Sequence, residues 1–439
     1  VAGGLVFTSA VRAQAQEAGF NSVPSTARAK QQGHPLADRL EGAVTASAWG
    51  SYARMEEILH AAGSDMTQIL RQHIWQKDKR LNPCEEAMRI QWQPVPAPAS
   101  GIGVTTVLDG TGEQWIGHDA IAVIAGENPL LGERTMVAAR DRARLPSASY
   151  YSQAVRTGPL VFTAGHIPIN TAAPGRPLVM SFDDIPEEGR FLATGRSHPD
   201  SRDGPIAAQT WYVYNELFNA IAEAGARPED VILSTVYLAD LKDFPVFHRV
   251  HAHMFGDRSP ALAVMGFDQI GHRGCLIEIE LTALDSRGDF ELVRVDWPKI
   301  QPFAAPAAVK TGPFVFFSGI CGFDQTGAVV TDATALPEPS RSQAARFDAL
   351  AHDGVGAQAF TAVARLEEAM QAAGGNLTDL VKVTAYIRNS VDCAIINAAL
   401  MARIPTALLP AFECIAVQGP GPIPEAEIQI EAIGFVATD

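Results

Sequence analysis

Apolar and polar positions along the chain alternate between two rhythms, and the same succession of rhythms occurs three times. A short, nearly continuous apolar run opens each succession: Gly4-Leu5-Val6-Phe7-Thr8-Ser9, Pro159-Leu160-Val161-Phe162-Thr163-Ala164 and Pro313-Phe314-Val315-Phe316-Phe317-Ser318. Runs of this length and composition predict buried β-strands. Further on, each copy carries a stripe with helical spacing that ends in Ala-Gly, at Ala62-Gly63, Ala224-Gly225 and Ala373-Gly374. Counted back from each Gly, the stripes superimpose without a gap. Trp49 matches Trp211 and Phe360, Tyr52 matches Tyr214 and Val363, Met55 matches Leu217 and Leu366, and Leu59 matches Ile221 and Met370. Steps of three and four residues place these side chains on one face of an amphipathic helix. The Gly predicts a left-handed C-terminal stop.

A β-rich run follows in the same register: Ile69 to Trp75, Val231 to Tyr237 and Leu380 to Tyr386. A second helix is clearest at Phe244 to Phe255 and Cys393 to Met401. Closing strands are expected at Trp115 to Val123, Leu276 to Ala283 and Glu427 to Phe435. Each copy therefore reads ββ-α-β-α-ββ, an α+β layer whose helices cover one face of a mixed sheet. The other face needs cover, and three such faces bury one another around a threefold axis. Mixed polar, Pro-containing connectors near Gly126 to Ser149 and Asp285 to Ala305 set the expected domains at 1–137, 138–290 and 291–439.

Composition narrows the function class. Of 439 residues, 47% are hydrophobic and 19% charged, as in a globular chain with a real core. No apolar run reaches the length of about 18 residues needed to span a membrane. The terminus VAGGLVFTSA lacks the basic region of a signal peptide, and without an initiating Met residues upstream of Val1 are expected. A net charge of −15 argues against a nucleic-acid partner. The five cysteines, Cys84, Cys275, Cys321, Cys393 and Cys414, form no CxxC pair, so neither a disulfide framework nor a zinc site is indicated and a reducing cytoplasm fits.

The second copy carries Tyr151-Ser152-Gln153-Ala154-Val155, Thr157-Gly158, Ala164-Gly165-His166-Ile167-Pro168, Ala207-Ala208-Gln209 and Ile277-Glu278-Ile279-Glu280. The third carries Ser318-Gly319, Ala357-Gln358, Pro410-Ala411 and Ile428-Gln429-Ile430-Glu431. On these motifs the chain resembles the Rid/YjgF family of reactive-intermediate deaminases, once per copy, with the first copy most diverged. The resemblance implies chorismate-mutase-like domains, a pseudo-trimer within one chain, and small-molecule clefts between domains. The cysteine and histidine spacings indicate no metal site, and the hydrolytic reading needs no cofactor. A fused trimer satisfies its own interfaces, so a monomer or homodimer is expected.

Deaminating relatives hold the substrate carboxylate with an arginine in a Pro-Ala-Arg-Ser-Cys stretch, where a planar guanidinium matches two oxygens. The matching positions here are Ser100, Leu262 and Phe412, so no copy keeps it; Arg273 on a closing hairpin is the nearest substitute. The family's cleft carboxylate maps to Gly117, Glu278 and Gln429, and its cleft tyrosine to Tyr151 and Ala305. The serine after the first strand maps to Ser9, Ala164 and Ser318, and the nearby cysteine to Cys414 alone. One or two working clefts are expected, using Glu278 with Tyr151, or Cys414 with Ser318.

Glu278 and Glu280 alternate on a strand and share a face. A Glu in a partly dry cleft serves as general acid or base, whereas Glu280, Asp119 and Glu431 form a column retained in all copies and read as structural. Cys414 is either a nucleophile or a buried thiol. Tyr151 either contacts ligand or packs, and His166 either donates to a ligand or ties a loop. His248, His251 and His253 read as a solvated helix face. The long segments from Thr171 to Pro205 and from Gln325 to Gly354 could close over a cleft or be decoration.

The leading expectation is hydrolysis or deamination of a C–N bond in a small polar molecule, with Glu278 positioning water. The competing one is a noncatalytic small-molecule-binding or regulatory protein, which the apolar Leu262 and Phe412 favour. A ring-opening amidohydrolase is a minor alternative, since that chemistry uses a Ser-Lys pair per repeat and no Lys column is present.

Overall fold

The computed structural model describes residues 1–13, 23, 35–107, 114–126, 128, 130–137, 150–297, 305–348 and 354–437. The expected connectors at 126–149 and 285–305, and the end of the segment 325–354, lie partly outside the described residues. Three mixed sheets carry the fold, one per repeat. The first contains β1 (Leu5–Phe7), β2 (Ile69–Gln76), β3 (Ala99–Gly103) and β4 (Ile116–Val123), covered by α1 (Pro35–Ala61) and α2 (Asn82–Trp92). The second contains β5 (Arg134–Met136), β6 (Ala154–Thr157), β7 (Leu160–Thr163), β8 (Val231–Leu238), β9 (Ala261–Gly266) and β11 (Ile277–Leu284), covered by α3 (Ser197–Glu223) and α4 (Phe244–Phe255). The short β10 (Gln269–Ile270) leaves it to pair with β3 of the first sheet.

The third sheet begins with β12 (Leu292–Val295), β13 (Ala308–Thr311) and β14 (Phe314–Phe317), with β15 (Ile320–Cys321) beside them. After α5 (Ser340–Asp348) and α6 (Val355–Ala372) come β16 (Leu380–Ile387), α7 (Cys393–Met401), β17 (Ala411–Ala416) and β18 (Ile428–Phe435). Among the described residues, no helix is long and apolar enough to cross a membrane.

The helix stops follow the sequence pattern. Gly63, Gly225 and Gly374 have φ of +77°, +95° and +86°, which only glycine adopts without strain. The next amide in each copy (Ser64, Ala226 and Gly375) bonds back to Leu59, Ile221 and Met370, closing the helix end. A register break also recurs, at Leu70, Ile232 and Val381. These bulged residues contribute to one core shared by all three sheets.

Each unit thus has its own core under its helices, and the uncovered sheet faces meet one another. Trp75, Tyr237 and Tyr386, equivalent by strand pairing, stack together with Phe267 at one end of the axis. Phe162, Phe314 and Phe316 fill the other end. The edges close cyclically as well. β3 of the first unit is continued by Gln269–Ile270 of the second, the end of β9 by Gly419 of the third, and the end of β17 by Thr106 of the first. Sheet edges that would otherwise template association are thereby covered within one chain.

Between the two apolar ends lies a buried charged layer. Asp119, Glu280 and Glu431 are paired with His73, Thr235 and Thr384 on the neighbouring strands. His73 bridges two units, with Nδ1 3.1 Å from Asp119 and Nε2 2.9 Å from Glu280. Lys382 Nζ donates to Asp119 at 2.7 Å, and Arg71 lies 3.4 Å from Glu280. Burial disfavours charge on Glu280, but Arg71 and His73 outweigh it and hold the carboxyl at about 2; the two acids raise His73 to about 10 against the effect of burial. Asp119 and Glu280 of this retained column thus form an axial ion network, whereas Glu431 makes no ion pair among the described residues, accepts from Thr235 at 3.4 Å, and is pushed up to about 7 by burial and then Glu280.

Candidate functional site in the cleft between the first and second units

A cavity of about 910 Å³ opens where β3 and the start of α2 face the loop after β7 and the hairpin that carries β10. The first unit supplies Ala99 and Gly101 from β3, Asn82 and Arg89 from α2, and Lys79 from the turn before it. The second supplies Tyr151, Gly165, His166, Arg273, Cys275 and Glu278. Asp78 caps the Lys79–Leu81 turn, and the Lys79 amide donates to Gln269 Oε1 across the interface at 2.8 Å, which fixes the lysine over the cavity.

Two buried acids line this cleft: Glu86, which pairs with Arg89 and accepts from the Tyr150 amide at 2.6 Å, and Glu278, only 3% exposed. Tyr237 lies beside it on β8, and its Oε2 has no hydrogen-bond partner among the described residues. The nearest cation, Lys79 Nζ, stands 3.8 Å away and also donates to the Gly101 carbonyl. Burial raises the Glu278 carboxyl above the ordinary range, and Lys79 offsets part of that rise. An orphaned buried oxygen is costly unless a ligand or water completes it. Gly165 makes room for the acid: a Cβ there would lie 2.2 Å from Glu278 Oε1.

The neighbouring groups suit proton transfer. His166 donates from Nδ1 to the Ala164 carbonyl at 3.1 Å, since a carbonyl only accepts, and burial lowers its pKa. The ring is therefore neutral near pH 7 with Nε2 as its basic nitrogen. Burial, followed by Glu278, pushes the Tyr151 phenol up to about 12, so it stays protonated. Arg89 is held by Glu85 and Glu86, whereas Arg273 is exposed at the rim and makes no ion pair among the described residues. Cys275 is buried and its thiol raised to about 11.

Of the residues singled out from sequence, Glu278, Tyr151, His166 and Arg273 thus share one cavity. The others lie elsewhere. Ser318 and Leu262 meet at the second–third interface, where Ser318 Oγ accepts the Leu262 amide at 2.9 Å and donates to the Pro306 carbonyl. Gln429 reaches the Val264 carbonyl there at 3.3 Å. Phe412 belongs to the third–first interface, its amide donating to Ser9 Oγ. Cys414 lies on the same strand, so Cys414 and Ser318 face different units and do not form a joint cleft.

Strand pairing also corrects the arginine column. His73, Thr235 and Thr384 stand opposite Ser100, Ala263 and Glu413, which makes Ala99 the partner of Leu262 and Phe412. Ser100 faces the axis and donates to Glu280, while Ala99 lines the cavity. The match through Pro98-Ala99 was one residue out of register, and a one-residue slip reverses the face.

The histidines of α4 also differ from expectation. His251 is buried, bonded to Tyr214 at 2.7 Å, and His248 is half-buried, so only His253 is solvated. Among the described residues no three His, Cys, Asp or Glu side chains group as a metal site would require. Segment 171–196 packs mainly on α3, with Gly189 against Trp211 and Gly204 against Phe182; only its first residue, Thr171, borders the cavity. The sequence reading missed Lys79. Its signal was a cation in the first copy where the other copies have Leu241 and Ser390.

Three α+β units closed around a threefold axis, with a cavity at a unit interface, define a fused, trimer-like α+β protein. The chain belongs to the Endoribonuclease L-PSP family, whose model matches residues 189–285 and 298–436, a little over half of its length. A RutC family protein of Pyrococcus abyssi is 32% identical over 30% of this chain and 84% of its own. The chloroplastic Reactive Intermediate Deaminase A of Arabidopsis thaliana is 28% identical over 25% of this chain and 46% of its own. Among solved structures, a putative endoribonuclease of Klebsiella pneumoniae is 35% identical over 30% of this chain and 98% of its own, with a TM-score of 0.29.

Proposed function

We propose that the cleft between the first and second units hydrolyses or deaminates a C–N bond in a small polar organic molecule. The observation that carries this reading is the Glu278 carboxyl, buried, with an unpartnered oxygen and a raised pKa, at the wall of a ligand-sized cavity. Water adds to the C=N carbon while Glu278 takes its proton. That proton passes to nitrogen to give a carbinolamine; its hydroxyl proton then follows to nitrogen by way of Glu278, and the carbonyl forms as the C–N bond breaks and ammonia or an amine leaves. Tyr151 donates a hydrogen bond to the developing charge. Lys79 and Arg273 hold the substrate's anionic group in place of the guanidinium that Ala99 cannot supply. The scheme uses no cofactor.

A related deaminase among the matched proteins supports the reaction class. The net charge of −15 speaks against the RNA substrate that the family's name suggests. Cyclic closure of the sheet edges within one chain favours a monomer or dimer, and the unpaired cysteines favour a reducing cytoplasm. The test is ammonia release from a panel of imines, enamines and amidines by wild type and Glu278→Gln. Turnover that survives Glu278→Gln overturns the assignment. A binding-only reading is favoured by one observation, the alanine at the arginine position. Crystals soaked with turned-over compounds separate the two: catalysis requires the ligand beside Glu278 with an ordered water.

A further inference from the structure

The segment that carries Tyr151 belongs to the second unit by sequence, yet it is fastened to the first. On its upstream side the Tyr150 amide donates to Glu86 Oε1 on α2 at 2.6 Å, and the Tyr150 hydroxyl donates to the Gln93 carbonyl at 2.6 Å. On its downstream side the Ser152 amide and hydroxyl donate to the Ala97 and Pro96 carbonyls at 3.1 and 2.7 Å. Between these anchors the Tyr151 ring packs on the core of the first unit and borders the cavity. Three of the four acceptors are backbone carbonyls, which any residue would supply; only Glu86 depends on its side chain. It is 5% exposed, and its Oε1 also accepts from Arg89 Nη2 at 3.3 Å. Counted from the helix start, the equivalent positions are His248 in the second unit and Asn397 in the third, so a carboxylate stands there only beside the first–second cavity.

We propose that Glu86 is a positioning residue for Tyr151: the first unit's helix holds the second unit's tyrosine at the reacting atoms. This rests on the hydrolytic reading above, in which the Tyr151 hydroxyl donates to the developing charge. A carboxylate accepting a backbone N–H makes a charge-assisted bond, stronger than one to a neutral carbonyl. Anchored on both sides and packed on its ring, Tyr151 keeps little freedom to withdraw its hydroxyl. Glu86 itself neither gives nor takes a proton in this role. Its two contacts need only an acceptor oxygen at Oε1, which glutamine also supplies. Glu85 faces Arg89 as well, at 3.9 Å, so loss of the Glu86 charge does not leave the guanidinium alone.

The test places 3-fluorotyrosine at position 151 of the full chain and reads the line width and solvent-isotope shift of its fluorine resonance. In parallel, kcat and KM are measured on every compound of the panel that wild type turns over. Wild type and Glu86→Gln should share one resonance of a shielded ring, whereas Glu86→Ala should show a mobile, more exposed one. Glu86→Met keeps the volume without the acceptor and gives the same reading where Glu86→Ala does not fold. Glu86→Ala should lower kcat by about 10²-fold with KM little changed. Tyr151→Phe should lower it at least as far, and the double variant no further than Tyr151→Phe alone. Glu86→Gln should stay within about threefold of wild type. If wild type turns nothing over, the hydrolytic reading falls, and the fluorine spectra alone decide whether Glu86 holds Tyr151. An unchanged resonance without the Glu86 acceptor overturns the proposal, as do losses that multiply in the double variant. A loss in Glu86→Gln as deep as in Glu86→Ala overturns it equally, because the carboxylate would then act on the substrate itself.

Discussion

Replacing Lys382 by Met probes the axial ion network at its most exacting point. Asp119 is buried and accepts from Lys382 Nζ at 2.7 Å, Trp75 Nε1 at 2.9 Å and His73 Nδ1 at 3.1 Å. Methionine preserves most of the volume, so packing changes little and the lost charge dominates. At an effective dielectric near 20, a unit pair at this separation attracts by about 6 kcal/mol. His73 retains part of the compensation, and removal of one partner from a buried pair typically costs about 3–5 kcal/mol. A destabilisation of about that size is expected near pH 7.

The penalty has a defined pH dependence. Burial alone would raise the Asp119 carboxyl, but Lys382 and His73 hold it far below the ordinary range. A depressed folded pKa contributes stability above the unfolded value, about 3.9, which is lost as pH falls through the folded value. In Lys382→Met the depression shrinks, so the difference from wild type is constant above about 3.9 and narrows only as pH falls below the variant's folded value. Urea unfolding followed by tryptophan fluorescence reads this directly, because Trp75 is bonded to Asp119. Adding Asp119→Asn to Lys382→Met should recover part of the loss. A change below about 1 kcal/mol at pH 7, or a penalty that fails to narrow below about pH 3.9, refutes the reasoning.

Other outcomes follow from the same geometry. His73 is raised to about 10, so its contribution is complete below about 6.5 and fades as pH rises through 10; His73→Gln should remove that alkaline slope in thermal unfolding. Ala99→Arg places a guanidinium in the cavity and should tighten carboxylate binding by calorimetry. Ser100→Arg faces Glu280 and the axis and should destabilise the fold by about 2–4 kcal/mol, measured by urea unfolding. Gly165→Ala puts a Cβ 2.2 Å from Glu278 Oε1 and should lose turnover while circular dichroism stays native.

The repeat, the order of elements and the helix stops were legible because strand and helix periods and a left-handed glycine are local properties. The bulges at Leu70, Ile232 and Val381 align for the same reason. The cleft was only partly legible. Glu278, Tyr151, His166 and Arg273 all come from the second copy, yet the opposite wall comes from the first, and no local pattern states which copies face each other. Pro98-Ala99 invited an alignment that strand pairing shifts by one residue, which moved Ser100 from cleft to axis. His251 was misread because its polarity outweighed its place behind Phe247, on the buried side of α4. Lys79 was hidden in a charged run, where only the three-dimensional approach of Glu278 marks it.

The central claim is that one of the three interfaces, the first–second cleft, performs the chemistry. Steady-state ammonia release should be compared for wild type, Glu278→Gln and Gln429→Leu, the last altering the equivalent position at the second–third interface. The account predicts that Glu278→Gln lowers kcat/KM by roughly 10²–10⁴-fold, with Gln429→Leu within about twofold of wild type, a change below about 0.5 kcal/mol in the barrier. Turnover that survives Glu278→Gln but falls with Gln429→Leu contradicts it, as does the absence of ammonia release from every compound in the panel.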